Sequence, residues 1–191
     1  MKWWLRKKKS KVKQKLKEFK ETRGIESLFL LLFCAILALY AKDVNAGECE
    51  FTNNLTNYQK EVARKAYLAG EPYDLGLTSV AIAYEESRLG LFKVRYNTNN
   101  TKDQSFGVMH TVGFWKVKEL SPFVAGDYIH KLIQSDDFSI KVGIEDILYW
   151  QKQAKGNWSK GVAMYNGGFK PNYSYSKRIT HIIKQIKNCE F

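Results

Sequence analysis

The stretch from Thr78 to Gly90, reading Thr-Ser-Val-Ala-Ile-Ala-Tyr-Glu-Glu-Ser-Arg-Leu-Gly, restricts the fold more than any other part of the chain. Wound as a helix it carries apolar side chains on almost every side, and a helix without a polar face must be enclosed by other elements. The segment predicts the centre of a helical core, within a helix from about Tyr73 to Gly90. Other periodic segments supply the partners. Asn57 can cap a helix that carries Val62, Ala66 and Leu68 and stops at Gly70. Asp136 and Asp137 precede a long helix from Phe138 to Lys155, ended by Gly156. Trp158 opens another through Tyr165, broken by Gly167, Gly168 and Pro171. A last helix from about Tyr175 to Lys187 presents Ile179, Ile182, Ile183 and Ile186. Between Lys93 and Thr111, the residues Asn97, Asn99, Asn100 and Asp103 mark a polar loop with room for a short β-hairpin. The expected fold class is mostly α.

The N-terminus follows a different logic. Formal charge is +12, yet residues 1–27 alone hold eleven Lys or Arg against three Glu, so the excess sits mainly there. An uncharged apolar stretch of 14 residues, Leu28 to Ala41, comes next. It is shorter than the roughly 20 residues that span a bilayer and within the roughly 7 to 15 of a signal-peptide core. Val44-Asn45-Ala46 offers a cleavage site. Residues 1–46 therefore read as a basic signal peptide and 47–191 as the exported domain, in the periplasm or cell envelope. The alternative is an uncleaved inner-membrane anchor through 28–41 with its basic tail on the cytoplasmic side. Removal of the segment takes most of the excess charge with it, so no nucleic-acid partner is expected for the mature domain; if it stays, it could touch nucleic acid or anionic lipid.

Cysteine usage fits export. Cys34 lies inside the apolar stretch, while Cys49 and Cys189 sit at the two ends of the remaining chain, an even pair that invites a disulfide. Phe33 and Glu48 precede Cys34 and Cys49, which disfavours lipid attachment.

Glu85 and Glu86 close the apolar helix, where uncompensated burial of a carboxylate is costly. A carboxyl near a helix C-terminus, partly desolvated by its neighbours, is favoured in its protonated form, and that suits a general acid. Periodicity does not choose between the two. The wider order does: Ser105-Phe106-Gly107-Val108-Met109-His110-Thr111 follows the loop, then Gly161-Val162-Ala163-Met164-Tyr165-Asn166-Gly167-Gly168, then Tyr175 with Ile179 four residues on. Taken together these resemble the soluble lytic transglycosylases of the lysozyme-like superfamily, over roughly residues 70 to 185. That family carries a Glu-Ser pair ending a helix, a Gly-Leu-Met-Gln segment, an Ala-Tyr-Asn-Ala-Gly segment and a Tyr before a closing helix.

The resemblance implies a lysozyme-like domain that cleaves peptidoglycan glycan strands without cofactor or metal. It pairs Glu86 with Ser87 and makes Glu86 the acid that protonates the oxygen between N-acetylmuramic acid and N-acetylglucosamine. Tyr165 would hold the carboxyl or the sugar, and Asn166 would fix the helix-to-loop backbone. Ser105, Met109, His110 and Tyr175 would line the groove. Glu85 is left as a surface neighbour. Two positions depart from the pattern: His110 stands where the family has Gln, and Gly167-Gly168 replaces Ala-Gly. Proteins of this kind serve conjugation, secretion and phage machines, so an envelope-spanning assembly is the implied partner.

A hydrolase of the two-carboxylate type needs a second acid facing the first. Asp103 is the acidic residue of the loop, so a conventional lysozyme using Asp103 is one alternative. A non-catalytic scaffold that only binds glycan is the other, motivated by His110.

Overall fold

A computed structural model describes residues 49–191; the basic segment and the apolar stretch lie outside them. The described chain is mostly helical. In order come α1 (Glu50–Asn53), α2 (Asn57–Gly70), a 3₁₀ turn (Glu71–Tyr73), α3 (Gly76–Ser87), strands β1 (Val94–Arg95), β2 (Ser105–Phe106) and β3 (Thr111–Val112), α4 (Gly113–Val117), α5 (Pro122–Gln134), α6 (Asp136–Gln153), α7 (Trp158–Gly167) and α8 (Tyr173–Ile186). No helix among the described residues is long and apolar enough to cross a membrane.

Helix α3 sits at the centre. Val80, Ala81, Ile82 and Ala83 are all 0% exposed, and successive side chains point about 100° apart, so four buried in a row leave no free face. α2 and α8 cover α3, while α6 lies against α2 and α7, and α7 against α8. Val62, Ala66, Ile140, Ile144, Val162, Ile179 and Ile186 fill the space between them.

The ends of the helices show local chemistry at one-residue resolution. The cap of α2 is Thr56, one residue before the expected Asn57: its hydroxyl accepts from the Gln59 N–H, and the Gln59 side chain accepts from the Thr56 N–H. The amide nitrogen of Gln59 also donates to the Arg88 carbonyl at 3.0 Å, joining the start of α2 to the end of α3. α3 begins later than its apolar run suggests, because Glu71–Tyr73 wind as a 3₁₀ turn and Asp74 turns left-handed at φ 59°. It stops at Ser87 because Arg88, Leu89 and Gly90 all adopt positive φ, at 52°, 55° and 85°. Gly90 is required there, since a Cβ would meet the Tyr58 hydroxyl at 2.6 Å.

The polar loop folds into three two-residue antiparallel strands in the order β1-β2-β3, with Arg95 opposite Ser105 and Ser105 opposite Val112. Helices α4 and α5 were not expected. Several of their apolar residues, Trp115, Phe123 and Val124, point to solvent. Cys49 and Cys189 stand at disulfide distance, with Cα atoms 5.1 Å apart, and tie the start of the described chain to the end of α8.

Candidate functional site

Glu86 occupies the last turn of α3 with its side chain 13% exposed. The hydroxyl of Tyr175, in the first turn of α8, donates to its Oε1 at 2.7 Å. Tyr175 is almost wholly buried. Burial first, and then the negative charge of Glu86, push its hydroxyl well above the ordinary tyrosine range, so it remains a donor. On the other side, Nδ1 of His110 lies 3.3 Å from Oε2. That approach falls short of hydrogen-bond geometry, and Nδ1 has no other partner.

The segment Gly107 to His110 is a turn closed by the His110 N–H on the Gly107 carbonyl at 3.2 Å. Three helices hold it in place. The Ser87 hydroxyl lies 2.7 Å from the Val108 carbonyl while accepting from the Gly90 N–H at 2.8 Å. The Tyr165 hydroxyl of α7 donates to the Met109 carbonyl at 2.6 Å. Ser139 of α6 accepts from the Met109 N–H at 3.5 Å. α6 can come this close because Gly143 faces Met109, where a Cβ would collide with the Met109 side chain. Gly107, at φ 81°, likewise has its Cβ direction filled by Ser139 and the Leu132 carbonyl.

These contacts revise several of the expected roles. Ser87, Ser105 and Met109 are fully buried, so their side chains support the site from behind and do not line a groove. Tyr165 spends its hydroxyl on the Met109 backbone; it does not bond Glu86. Tyr175 takes that carboxyl instead. Asn166 accepts at Oδ1 from the Asn172 side chain at 2.8 Å, across the turn that joins α7 to α8. Glu85 is not a free surface acid: Arg178 of α8 pairs with it at 2.6 Å, and only 19% of its side chain is exposed. Tyr175 and Arg178 are three residues apart on one face of α8, so a single helix face engages both neighbouring carboxylates.

Asp103 has its partners elsewhere. Arg95 pairs with it at 3.0 Å and Asn97 donates at 2.9 Å, while the same Arg95 donates to Ser105 at 2.7 Å. Burial opposes its ionisation, but the hydrogen bonds from Asn97 and Arg95 outweigh that and hold its carboxyl below the ordinary range. A different acid, Asp146, acts on Tyr165. Tyr165 is raised well above the usual tyrosine range by burial, then by Glu86 and then by Asp146, so Asp146 of α6 is the second carboxyl within electrostatic reach. Burial pushes Asp146 upward and its ion pair with Lys116 of α4 opposes this. Sequence reasoning missed this pair, because two residues 30 positions apart on separate helices leave no spacing pattern.

Among the described residues no three His, Cys, Asp or Glu side chains are grouped as a metal ion would need. No family model matches the chain, and no similar curated protein or solved structure was found. The functional reading therefore rests on this constellation: one carboxyl at the end of a buried helix, held by a tyrosine, facing an imidazole, with neighbouring acids neutralised by Arg178, Arg95 and Lys116.

Proposed function

We propose that this protein is an exported peptidoglycan lytic transglycosylase with a lysozyme-like domain, and that Glu86 is its acid and base. One observation carries the reading. Glu86 is held by Tyr175 and nearly enclosed, while the loop acid Asp103 is committed to Arg95 and Asn97. A single carboxyl of this kind suits a reaction in which the same group first gives and then takes a proton. Glu86 protonates the oxygen leaving C1 of N-acetylmuramic acid. The substrate's own N-acetyl group meets the positive charge at C1 in place of a second carboxylate. Glu86, now a carboxylate, then removes the proton of the muramic 6-hydroxyl as O6 bonds to C1, and the product is 1,6-anhydro-N-acetylmuramic acid.

The order of the motifs supports the same reading, as does the use of Ser87 to fix the Val108 carbonyl beside Glu86. Glycan strands are the substrate and no cofactor takes part. The setting is the cell envelope, with local opening of the wall for secretion, conjugation or phage entry, reached by way of the signal in residues 1–46 or an anchor through 28–41. The test is digestion of purified peptidoglycan followed by mass spectrometry of the soluble fragments. Anhydro ends, lighter than hydrolysed ends by one water, are the expected product. Reducing ends alone would indicate hydrolysis, and wall that binds the protein without being cut would indicate a scaffold.

A further inference from the structure

Beside the carboxyl site, the end of α3 and the length of α8 form a pocket of about 380 Å³. Tyr84 and Ile182 give it apolar surface. Arg88, Lys177 and Arg178 bring three positive charges to its lining against the single carboxylate of Glu85, and His181 adds an imidazole. That surplus is not used up inside the protein. Arg178 reaches Glu85 through Nε at 2.6 Å, which leaves the terminal N–H groups of its guanidinium uncommitted. Among the described residues neither Arg88 nor Lys177 pairs with a carboxylate.

Arg88 is held in an unusual place. It caps α3 in the left-handed region at φ 52°, where glycine is the ordinary residue. Its guanidinium lies over the Tyr84 ring, 4.6 Å from the centroid, and Phe51 packs edge-on against the same ring at 4.8 Å. A guanidinium resting on a ring keeps its in-plane N–H groups for a ligand, and that planar fork matches the two oxygens of a carboxylate. We infer that this pocket binds a carboxylate of the peptide stem that muramic acid carries on its lactyl group, so that the substrate is peptide-bearing glycan and not bare strands. The identity of the ligand rests on the transglycosylase reading above, while the preference for an anion rests on the lining alone.

The connectivity of substrate and protein agrees with this. The stem hangs from the same sugar whose C1 bond is cut, and three extended residues reach roughly 10 Å. Glu85 of the pocket directly precedes Glu86, and Arg178 lies one helical turn along α8 from Tyr175, which holds the Glu86 carboxyl. The bounded size also selects the ligand. A polyanion such as nucleic acid needs a continuous basic track, whereas a short peptide end fits a closed cluster of cations. Tyr84 and Ile182 suit the methyl and methylene groups that separate the carboxylates of a stem.

The experiment has two arms on the full-length chain. In the first, the free stem tripeptide of alanine, glutamate and diaminopimelate is titrated into the protein by calorimetry, beside the same peptide with its carboxylates amidated. Wild type should bind the free peptide, and amidation, Arg88→Gln or Lys177→Gln should each weaken that binding by about tenfold. Both residues are exposed, so circular dichroism should report folded variants. Arg178 is left in place because it also neutralises Glu85. Lys141→Gln, an exposed lysine of α6 outside the pocket, should bind as wild type does. No binding by wild type, equal affinity for both peptides, or unchanged affinity in both pocket variants would overturn the proposal. In the second arm, wild type is given soluble uncross-linked strands with their stems and the same strands stripped by an amidase, and the fragments are counted by mass spectrometry. Strands with stems should be cut about tenfold faster at low substrate concentration, and equal rates would overturn the proposal. Protein that binds the peptide but cuts neither material would remove the transglycosylase reading and leave the carboxylate pocket standing. Protein that cuts both equally and ignores the peptide would do the reverse.

Discussion

The Tyr175 hydroxyl and Oε1 of Glu86 are 2.7 Å apart although 89 residues separate them in the chain. The bond joins the start of α8 to the end of α3 and lets the carboxyl keep one orientation. Hydrogen bonds to charged groups contribute about 1.5–3 kcal/mol. If that orientation is the working one, Tyr175→Phe should slow wall clearing by about ten- to a hundredfold, the rate equivalent of that energy. The phenylalanine fills nearly the same space, so circular dichroism should report a folded protein. A variant with unchanged rate would show that the tyrosine serves packing alone.

Glu86→Gln should abolish wall digestion and leave the fold intact, because the amide keeps the size of the side chain but has no proton of carboxylic strength to give. Glu85→Gln should be mild in rate, since Glu85 meets Arg178 and not the turn that carries His110. Turbidity clearing by the two purified variants decides the assignment, and a dead Glu85→Gln with an active Glu86→Gln would reverse it.

Asp103 offers a test with a defined sign. Its carboxyl is held below the ordinary range, with burial opposing and the bonds from Asn97 and Arg95 prevailing. A depressed carboxyl contributes stability that is present above its unfolded value and is lost as pH falls through its folded value. Thermal unfolding between pH 5 and pH 2 should therefore cost the wild type more than Asp103→Asn, while the two converge at the acid end. The same variant should still yield anhydro ends in a wall digest. Loss of all cleavage in Asp103→Asn would favour a two-carboxylate lysozyme.

Cys49 and Cys189 are 140 positions apart in sequence, so their bond closes nearly the whole described domain. On the chain-entropy estimate a loop of this size stabilises by about 4 to 5 kcal/mol. The double change Cys49→Ser with Cys189→Ser should lower the denaturation midpoint accordingly. Non-reducing peptide maps of the protein recovered from the envelope should contain the linked pair, and two free thiols would rule it out.

What could be read in the sequence depended on whether a feature was local. The apolar run of α3 announced a buried helix because every position in it told the same story, and the mostly helical class followed from the isoleucine and valine spacing of α6 and α8. The polar loop was visible in its asparagines. Tertiary devices were not. Ser87 was singled out, but its principal partner is the Val108 backbone carbonyl, an acceptor that any residue at position 108 would provide. The Lys116–Asp146 pair and the Arg95–Asp103–Ser105 cluster depend on helices and strands meeting, which charge spacing along one element does not encode. α5 was missed although its apolar residues fall at helical spacing; of its residues only Leu132 is buried.

With no side of α3 turned to water, the residue proposed as the acid stands on the element least able to tolerate drift. A change at its buried positions, Val80 to Ala83, disturbs packing before it can alter chemistry, so natural variation and laboratory selection have little room there. The exposed surface is different. Tyr96, Trp115, Phe123 and Phe169 are largely exposed, and each could be exchanged without opening a cavity. Sequence change should accumulate on the loop of residues 96–104 and on these exposed aromatics, while the buried positions of α3 stay nearly constant.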